Sequence, residues 1–345
     1  MDTVLYEPAL GYYARASRRS GSAGDFVTSV DFGPLFGRLL GRQVAEMTTY
    51  LSPTTPVSLV EAGAGDGRLS RAMLDELAAV APDVASVLHP HLVERSDAAR
   101  QTQPATLGSW AERAIRSPAL PEMFSGILVA NELLDALPAH RVVMRGRTLH
   151  EVLVDVDGNQ LVTRETASLS PGLLAHLDAC SAQLHSGQFA DVSLDASAWM
   201  HEAASRLTAG FMLVIDYGAE ASRLYGPSYP TGTLTSYRAH VASTSDADAW
   251  LQQPGDQDLT THVDFTSVRR AAEAAGCVSL GLMDQTYFLM ALATPLLSEL
   301  DAAERRAFAA LVMPGGLGST MKVLVLAKGV NRPALLGCSG PMRLT

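Results

Sequence analysis

This chain of 345 residues has only three cysteines and two lysines, and it lacks any long apolar run. Cys180, Cys277 and Cys338 lie far apart without paired spacing, which favours neither a disulfide framework nor a zinc motif. No apolar run approaches the roughly 20 residues that span a bilayer, and residues 1–13 lack a basic stretch followed by an apolar one. We therefore expect a cytoplasmic protein with no metal ion and no membrane as a partner.

Positive charge is also scarce. The chain has 26 basic residues against 36 acidic ones, and its formal net charge is −10. Apart from a short group at Arg15, Arg18 and Arg19, the basic residues are scattered. Because binding to a nucleic-acid backbone needs concentrated positive charge, nucleic acid is not expected as a partner.

A strand, a glycine turn and a helix follow one another early in the chain. Residues 57–62 are apolar and end in glycines, and residues 68–80 repeat apolar side chains at helical spacing. Further strands are predicted at 87–94, 125–131 and 210–217, with helical segments between them. This alternation predicts an α/β fold with a parallel sheet covered on both faces.

Two parts of the chain depart from this alternation. Segments 278–290 and 321–328 resemble strands on either side of a helix at about 295–312, and we expect an antiparallel pair at the C-terminal edge. Segment 141–205 contains Asp157-Gly158 between alternating apolar runs, which predicts a hairpin, and then helices near 171–185 and 195–207. Two stretches are loop-like, 15–34 and 218–262.

The predicted organisation is an N-terminal cap of helices and loop (1–50), a core (51–140 and 206–330), an inserted smaller α+β lobe (141–205) and a C-terminal tail (331–345).

The glycine turn predicts a ligand of nucleoside type. Its glycines allow close approach to the backbone, and the helix that follows presents free N–H groups. A dinucleotide fingerprint requires a small residue where Arg68 stands, and no Gly-Lys-Ser/Thr follows, so NAD and a phosphate-binding loop are disfavoured. Glu94 ends the second strand, where a carboxylate can hold a ribose diol. A tight turn without a ligand, and a solvated acid, are the simpler alternatives for these two features.

Nine stretches together resemble the MidA-like family of S-adenosylmethionine-dependent methyltransferases, which includes a mitochondrial protein arginine methyltransferase. The resemblance runs from about residue 5 to residue 328 and implies a class I methyltransferase sheet. The stretches are LYEPALGYYA (5–14), GDFVTSVDFGPLFGRLLG (24–41), VEAGAGDGRL (60–69), HLVER (91–95), ANELLDALPAHR (130–141), VIDYG (214–218), TLTSYRAH (233–240), DLTTHVDF (258–265) and GLGSTMKVLVLAKG (316–329).

The resemblance also implies cofactor-binding residues. S-adenosylmethionine would bind here and leave as S-adenosylhomocysteine. The implied cofactor residues are Glu61, Gly63, Ala64, Gly65, Gly67, Glu94 and Asn131, with Asp25, Phe26, Thr28 and Ser29 in a loop over the cofactor.

The acceptor side is implied less directly. Glu132 and Asp135, with Asp216 in support, are the predicted catalytic carboxylates, because paired carboxylates can bind a guanidinium and take its proton. Asp135 also fits a simple turn residue. Tyr13 and Tyr217 are candidate substrate contacts, as is His262, for which a structural role is the simpler alternative. The predicted acceptor is a protein arginine; a small molecule, or a noncatalytic assembly role, stays open, as does a homodimer.

Overall fold

Alternating strands and helices make up most of the chain, and the computed structural model describes residues 1–15, 28–52, 54–238, 241–242 and 248–340. The helices are α1 (Asp2–Tyr6), α2 (Tyr12–Arg15), α3 (Leu35–Thr48), α4 (Arg68–Val80), α5 (Pro82–Val87), α6 (Asp97–Leu107), α7 (Leu173–Ala179), α8 (Leu194–Arg206), α9 (Ala221–Leu224), α10 (Phe265–Ala274), α11 (Gln285–Ala293), α12 (Ala302–Val312) and α13 (Leu317–Thr320). The strands are β1 (Ser58–Ala62), β2 (His89–Val93), β3 (Ile115–Ser117), β4 (Phe124–Asn131), β5 (His140–Arg145), β6 (Thr148–Asp157), β7 (Gln160–Thr166), β8 (Phe189–Val192), β9 (Leu207–Ala219), β10 (Thr235–Arg238), β11 (Val241–Ala242), β12 (Asp258–Thr260), β13 (Val263–Asp264), β14 (Val278–Asp284) and β15 (Met321–Lys328).

The main sheet has the strand order β14-β15-β9-β4-β1-β2-β3, with β13 beside the end of β9. Strands β3, β2, β1, β4 and β9 are parallel, whereas β15 runs antiparallel to both β9 and β14. The predicted α/β sheet with an antiparallel C-terminal edge is therefore confirmed. In such a sheet the carboxyl ends of the parallel strands meet at one edge, where ligands bind.

Helices cover both faces of this sheet. On one face α3 and α4 bury residues such as Leu39 and Met73, and on the other α8 buries Ala196, Met200 and Ala203. These three α8 residues recur at helical spacing, which is why that stripe faces the sheet. Helix α8 thus packs on the core, although its residues fall within the segment that we assigned to the inserted lobe; the domain boundaries stay a prediction.

A second, antiparallel sheet with the order β7-β6-β5-β8 lies between β4 and α8 in sequence. Asp157 pairs with Gln160 across a two-residue turn, and Gly158 has a φ of 61°, as the predicted hairpin requires. Segment 218–262, which we expected to be loop, also contains the short sheet β11-β10-β12.

The C-terminal region differs from prediction in one element. Strand β14 ends at Asp284, and residues 285–293 form α11 rather than continuing a strand to residue 290. Residues 288–293 of this helix are all apolar, so their periodicity could not separate a strand from a buried helix. The predicted helix at 295–312 is shorter as well, because Asp301 and Glu304 form a capping box that starts α12 at residue 302.

No helix in the described ranges combines the length and apolar character that crossing a membrane requires.

Glycines allow β4 and β9 to approach closely at their amino ends. Gly126 and Gly210 have φ angles of 141° and 136°. A Cβ atom on Gly210 would lie 1.8 Å from the carbonyl oxygen of Gly126, and one on Gly126 would lie 2.0 Å from that of Ser58. Neither position can accept a side chain unless the strands separate.

We predict that Gly210→Ala lowers the free energy of unfolding by about 2 kcal/mol or more, because backbone strain and a clash within the sheet combine. Gly316→Ala is the matched control, since Gly316 has a φ of −112° and its Cβ would meet its nearest neighbour at 3.5 Å. That change should stay within about 0.5 kcal/mol. Denaturant unfolding of both variants measures the difference, and equal stability of the two would contradict the prediction.

Candidate active site

A cavity of about 420 Å³ opens at the carboxyl ends of β1, β2 and β4. Its walls come from the glycine turn after β1, the end of β2, the segment after β4, and the N-terminal helices. Helix α8 closes one side with Trp199, Glu202 and Arg206, which recur at helical spacing. The cavity therefore lies where the strand topology predicts a ligand.

The glycine turn forms the floor of this cavity. Gly63, Gly65 and Gly67 have φ angles of 74°, 51° and 88°, a region in which glycine is favoured. The N–H groups of Gly63 and Ala64 donate to Val93 O at 2.9 and 3.1 Å, which ties the turn to β2. A Cβ atom on Gly65 would meet no atom within 4 Å, so this position faces open space that a ligand can fill.

Glu94 lies at the end of β2 and lines the cavity, as predicted for a ribose-binding acid. Its Oε2 accepts the Gly65 N–H at 2.9 Å, and its Oε1 accepts the Ser96 N–H at 2.8 Å. The carboxylate is thus oriented by backbone donors from both sides. This orientation is one that a sugar diol could use.

Glu61 ends β1 and is buried beneath the turn. Its Oε2 accepts a hydrogen bond from the Ser70 hydroxyl of α4, which links the strand to the helix that follows the turn. Burial raises the pKa of Glu61 to about 8, despite the hydrogen bonds from Ser70.

Asn131 and Glu132 follow β4 and line the cavity, and Glu132 has a φ of 51°. Oε1 of Glu132 accepts the Ser29 N–H and the Asn131 Nδ2–H, both at 3.2 Å. Among the described residues, Oδ1 of Asn131 is buried without a hydrogen-bond partner. Burial and the neighbouring Asp216 raise the pKa of Glu132 to about 8. Oδ1 of Asn131 is therefore available to accept a hydrogen bond from a ligand, and Glu132 offers a carboxyl group that protonates near neutral pH.

Asp216 lies outside the cavity wall and holds the turn after β4. Its Oδ2 accepts N–H groups from Leu133, Leu134 and Asp135 at 3.1, 2.8 and 3.4 Å. Its Oδ1 accepts the Tyr217 N–H at 2.8 Å. Burial raises the pKa of Asp216 to about 7, against the effect of these four donors. Its contacts are those of a positioning residue, and its predicted catalytic role stays a prediction.

Asp135 is buried behind the wall. Burial, Asp216, Glu132 and Asp258 together raise its pKa well above the ordinary value. Asp258, which sequence reasoning missed, accepts the Tyr13 hydroxyl at 3.0 and 3.1 Å through its two oxygens. Its only sequence signal was its place in the stretch 258–265.

Aromatic side chains from the N-terminal helices form the opposite wall. The rings of Tyr6 and Tyr13 are stacked at 5.3 Å, and the Tyr6 hydroxyl donates to Ala136 O at 2.9 Å. The structure therefore brings the predicted contact Tyr13 into the cavity wall, together with Tyr6, which was not predicted.

The predicted N-terminal loop is described only in part. Thr28 lines the cavity and caps the short helix Ser29–Phe32 together with Asp31, while Asp25 and Phe26 lie outside the described residues. The Ser29 contact with Glu132 shows that this segment reaches the turn after β4.

Tyr217 and His262 are not among the residues that line the cavity. Tyr217 is half-buried, and burial with the nearby Glu132 raises the pKa of its hydroxyl. His262 packs its ring edge-on against Tyr229 at 5.4 Å, and burial lowers its pKa. The substrate roles predicted for both stay predictions.

Comparison with known proteins shows the family to which the chain belongs. Residues 39–283 match the family model described as "Putative S-adenosyl-L-methionine-dependent methyltransferase". The chain belongs to this family. The crystal structure of a protein from Burkholderia thailandensis bound to S-adenosyl-homocysteine is similar to 99% of this chain and 89% of that one, with a TM-score of 0.89 and 29% identity. A second crystal structure from the same organism has a TM-score of 0.87 and 28% identity over the same shares.

Curated relatives agree with the family match. The mitochondrial protein arginine methyltransferase NDUFAF7 of Mus musculus is 30% identical over 84% of this chain and 68% of its own length. Its Drosophila melanogaster homolog is 28% identical over 96% of this chain and 80% of its own length. The protein is thus an S-adenosylmethionine-dependent methyltransferase, as the sequence predicted. The predicted cytoplasmic location is wrong by the same comparison, because these relatives are named as mitochondrial proteins.

We predict that Gly65→Ala weakens S-adenosylhomocysteine binding by at least about tenfold, since the new methyl group enters the space that faces the turn. Gly158→Ala is the matched control, because Gly158 also has an open surrounding and a φ of 61°. Both variants should lose about 1–2 kcal/mol of stability through backbone strain, and only Gly65→Ala should lose affinity. Titration calorimetry measures the affinity, and an equal effect of both changes would contradict the prediction.

The burial of Glu61 predicts that the stability of the protein depends on pH. The pKa of Glu61 is about 8 in the folded chain, against an ordinary value of 4.5. At pH values between 4.5 and 8 the folded chain therefore binds more protons than the unfolded chain does. Its stability therefore falls as pH rises through this window. Glu61→Gln should remove that loss and raise the unfolding free energy at pH 8 by about 1 kcal/mol or more. Denaturant unfolding without cofactor at pH 5 and pH 8 tests this, with the exposed Glu122→Gln as control; a pH dependence that Glu61→Gln leaves unchanged would refute it.

Proposed function

We propose that this methyltransferase transfers its methyl group to the guanidinium nitrogen of a protein arginine. The observation that carries the proposal is the group of buried carboxyls Glu132, Asp135 and Asp216 behind the turn after β4. No described Lys or Arg forms an ion pair with Glu132 or Asp135. The curated relatives named as protein arginine methyltransferases support the same acceptor.

The cofactor half of the proposal rests on three features of the cavity. The turn at Gly63–Gly67 allows the backbone to approach the ligand, Glu94 is placed to hold the ribose, and Oδ1 of Asn131 can accept a hydrogen bond from the ligand. S-adenosylmethionine, when bound, supplies a sulfonium methyl group. The chain contributes positioning and exclusion of water, because an in-line displacement needs no covalent nucleophile.

The acceptor half rests on electrostatics. Burial and repulsion from Asp216 raise the pKa values of both Glu132 and Asp135, so a cation in the cavity beside Glu132 would favour its ionised form. A guanidinium provides such a cation with donors matched to carboxylates. The aromatic wall is already suited to a guanidinium, because the guanidinium carbon of Arg95 lies 4.5 Å from the centroid of the Tyr6 ring.

Glu132 is the proposed proton acceptor. Its Oε1 is engaged by Ser29 and Asn131, whereas Oε2 has no hydrogen-bond partner among the described residues. In the proposed reaction, the proton that the guanidinium nitrogen loses would go to Oε2 of Glu132, while bound S-adenosylmethionine would supply the methyl group and leave as S-adenosylhomocysteine. The pKa of about 8 suits that transfer near neutral pH. Asp135 and Asp216 position this segment.

We predict that Glu132→Gln lowers the turnover of an arginine acceptor by about 100-fold or more, because both the guanidinium contact and the proton acceptor are lost. Its affinity for S-adenosylhomocysteine should stay within about threefold of the unchanged protein, and Glu112→Gln, at an exposed position, should alter neither quantity. Turnover is measured with methyl-labelled S-adenosylmethionine and a lysate, followed by mass spectrometry of the labelled residue.

The same assay separates the competing functions. Label on protein arginine in a Glu132-dependent manner supports the proposal. Label confined to small molecules would assign a small-molecule acceptor instead, and binding of cofactor without label in any fraction would assign a noncatalytic role.

A further inference from the structure

Three side chains with metal-binding chemistry meet where the second sheet's segment contacts the core. Nε2 of His176, Sγ of Cys180 and a carboxylate oxygen of Asp264 lie within 4.8 Å of one another. None of the three lines the cavity described above. We propose that this cluster binds a divalent transition-metal ion of the zinc class, in a structural role separate from methyl transfer.

The distances within the cluster fit a tetrahedral ion. Oδ2 of Asp264 lies 3.6 Å from Nε2 of His176 and 3.3 Å from Sγ of Cys180. Metal–ligand bonds of about 2.0–2.3 Å at tetrahedral angles place neighbouring ligand atoms roughly 3.3–3.8 Å apart. Nitrogen, sulfur and oxygen donors together are the ligand set that zinc accepts. Both distances from Asp264 fall in this range, and all three ligand atoms lie within 4.8 Å of one another, so an ion could bind them with water as the fourth ligand.

The histidine nitrogen provides an independent sign of a ligand. Nε2 of His176 is buried and has no hydrogen-bond partner among the described residues, on a side chain that is 9% exposed. The 3.6 Å separation from Asp264 is too long for a hydrogen bond. A buried polar atom without a partner is costly, and a bound ion would satisfy it.

The carboxylate is held in a ligating orientation. Oδ1 of Asp264 accepts the N–H groups of Thr266 and Ser267 at 2.9 and 3.3 Å, which leaves Oδ2 facing the cluster. The Tyr225 hydroxyl lies 3.4 Å from the same Oδ2. Outer contacts of this kind orient metal ligands.

Ion binding also changes the state of the cysteine. Without an ion, the Cys180 thiol donates a hydrogen bond to Oδ2 of Asp264 at 3.3 Å. When the ion binds, the S–H bond breaks, a sulfur–metal bond forms and the proton goes to solvent. No change of oxidation state is involved.

An ion here would link two units of the fold. His176 and Cys180 lie at the end of α7, between β7 and β8 of the second sheet, and Asp264 starts α10 on the core. Arg270 of α10 already donates to the carbonyl of Ala179, so the contact exists without the ion. The proposal departs from the sequence-based prediction of no metal, which considered spacing along the chain alone.

Cobalt binding to chelator-treated protein tests the site. We expect one equivalent of Co²⁺ to give a thiolate-to-cobalt charge-transfer band that Zn²⁺ removes. Cys180→Ser should abolish the band and weaken binding by at least about tenfold, and His176→Gln should weaken binding similarly. Cys338→Ser is the matched control, because Cys338 is half-buried and outside the cluster.

Folding of each variant is checked by the rise in melting temperature with S-adenosylhomocysteine, which the proposal expects to be unchanged. The absence of a charge-transfer band in the unchanged protein, or a band that persists in Cys180→Ser, would overturn the metal site. Failure of the cofactor-induced rise in the unchanged protein would instead count against the methyltransferase site, so the two conclusions fail separately.

Discussion

The buried carboxylate of Asp216 is the contact on which the acceptor side of the site depends. It lies at the end of β9 and accepts N–H groups from the turn after the neighbouring strand β4. That turn begins with Glu132 at a φ of 51°, a conformation that L residues rarely adopt. Four backbone donors reduce part of the cost of burying this carboxylate, and three of them hold the strained turn in place.

Concentrated negative charge is the second constraint on this site. Asp135 lies near Glu132, Asp216 and Asp258, and burial and repulsion raise the pKa of both Glu132 and Asp135. Such an arrangement opposes folding at the pH where the groups ionise, and it is therefore typical of functional sites rather than of cores. A cationic acceptor would reduce the repulsion between these carboxyls. The free-energy cost of placing them together would then favour the binding of a positively charged acceptor.

The sequence predicted the parts of the fold and site that local chemistry determines. The glycine turn, Glu94 at the end of β2 and the hairpin at Gly158 all follow from residues close together in the chain. Helix α11 was missed because its residues 288–293 are all apolar and therefore show no helical or strand period. Asp258 and the approach of Asp264 to His176 could not be predicted, because each depends on packing between segments far apart in sequence.

The cofactor side and the acceptor side of the proposed site differ in the same way. The proposed cofactor side is built from the glycine turn, the ends of β1 and β2, and the backbone N–H groups that orient Glu94. These features depend on residues close together in the chain, so the sequence alone could predict them. The proposed acceptor side combines Tyr13 from the N-terminal helices, Glu132 after β4 and, behind the cavity wall, Asp258 on β12, which lies 245 positions from Tyr13 in the chain. These side chains meet only when the whole chain has folded. The proposed acceptor side therefore depends on long-range packing, and the glycine turn alone does not define it.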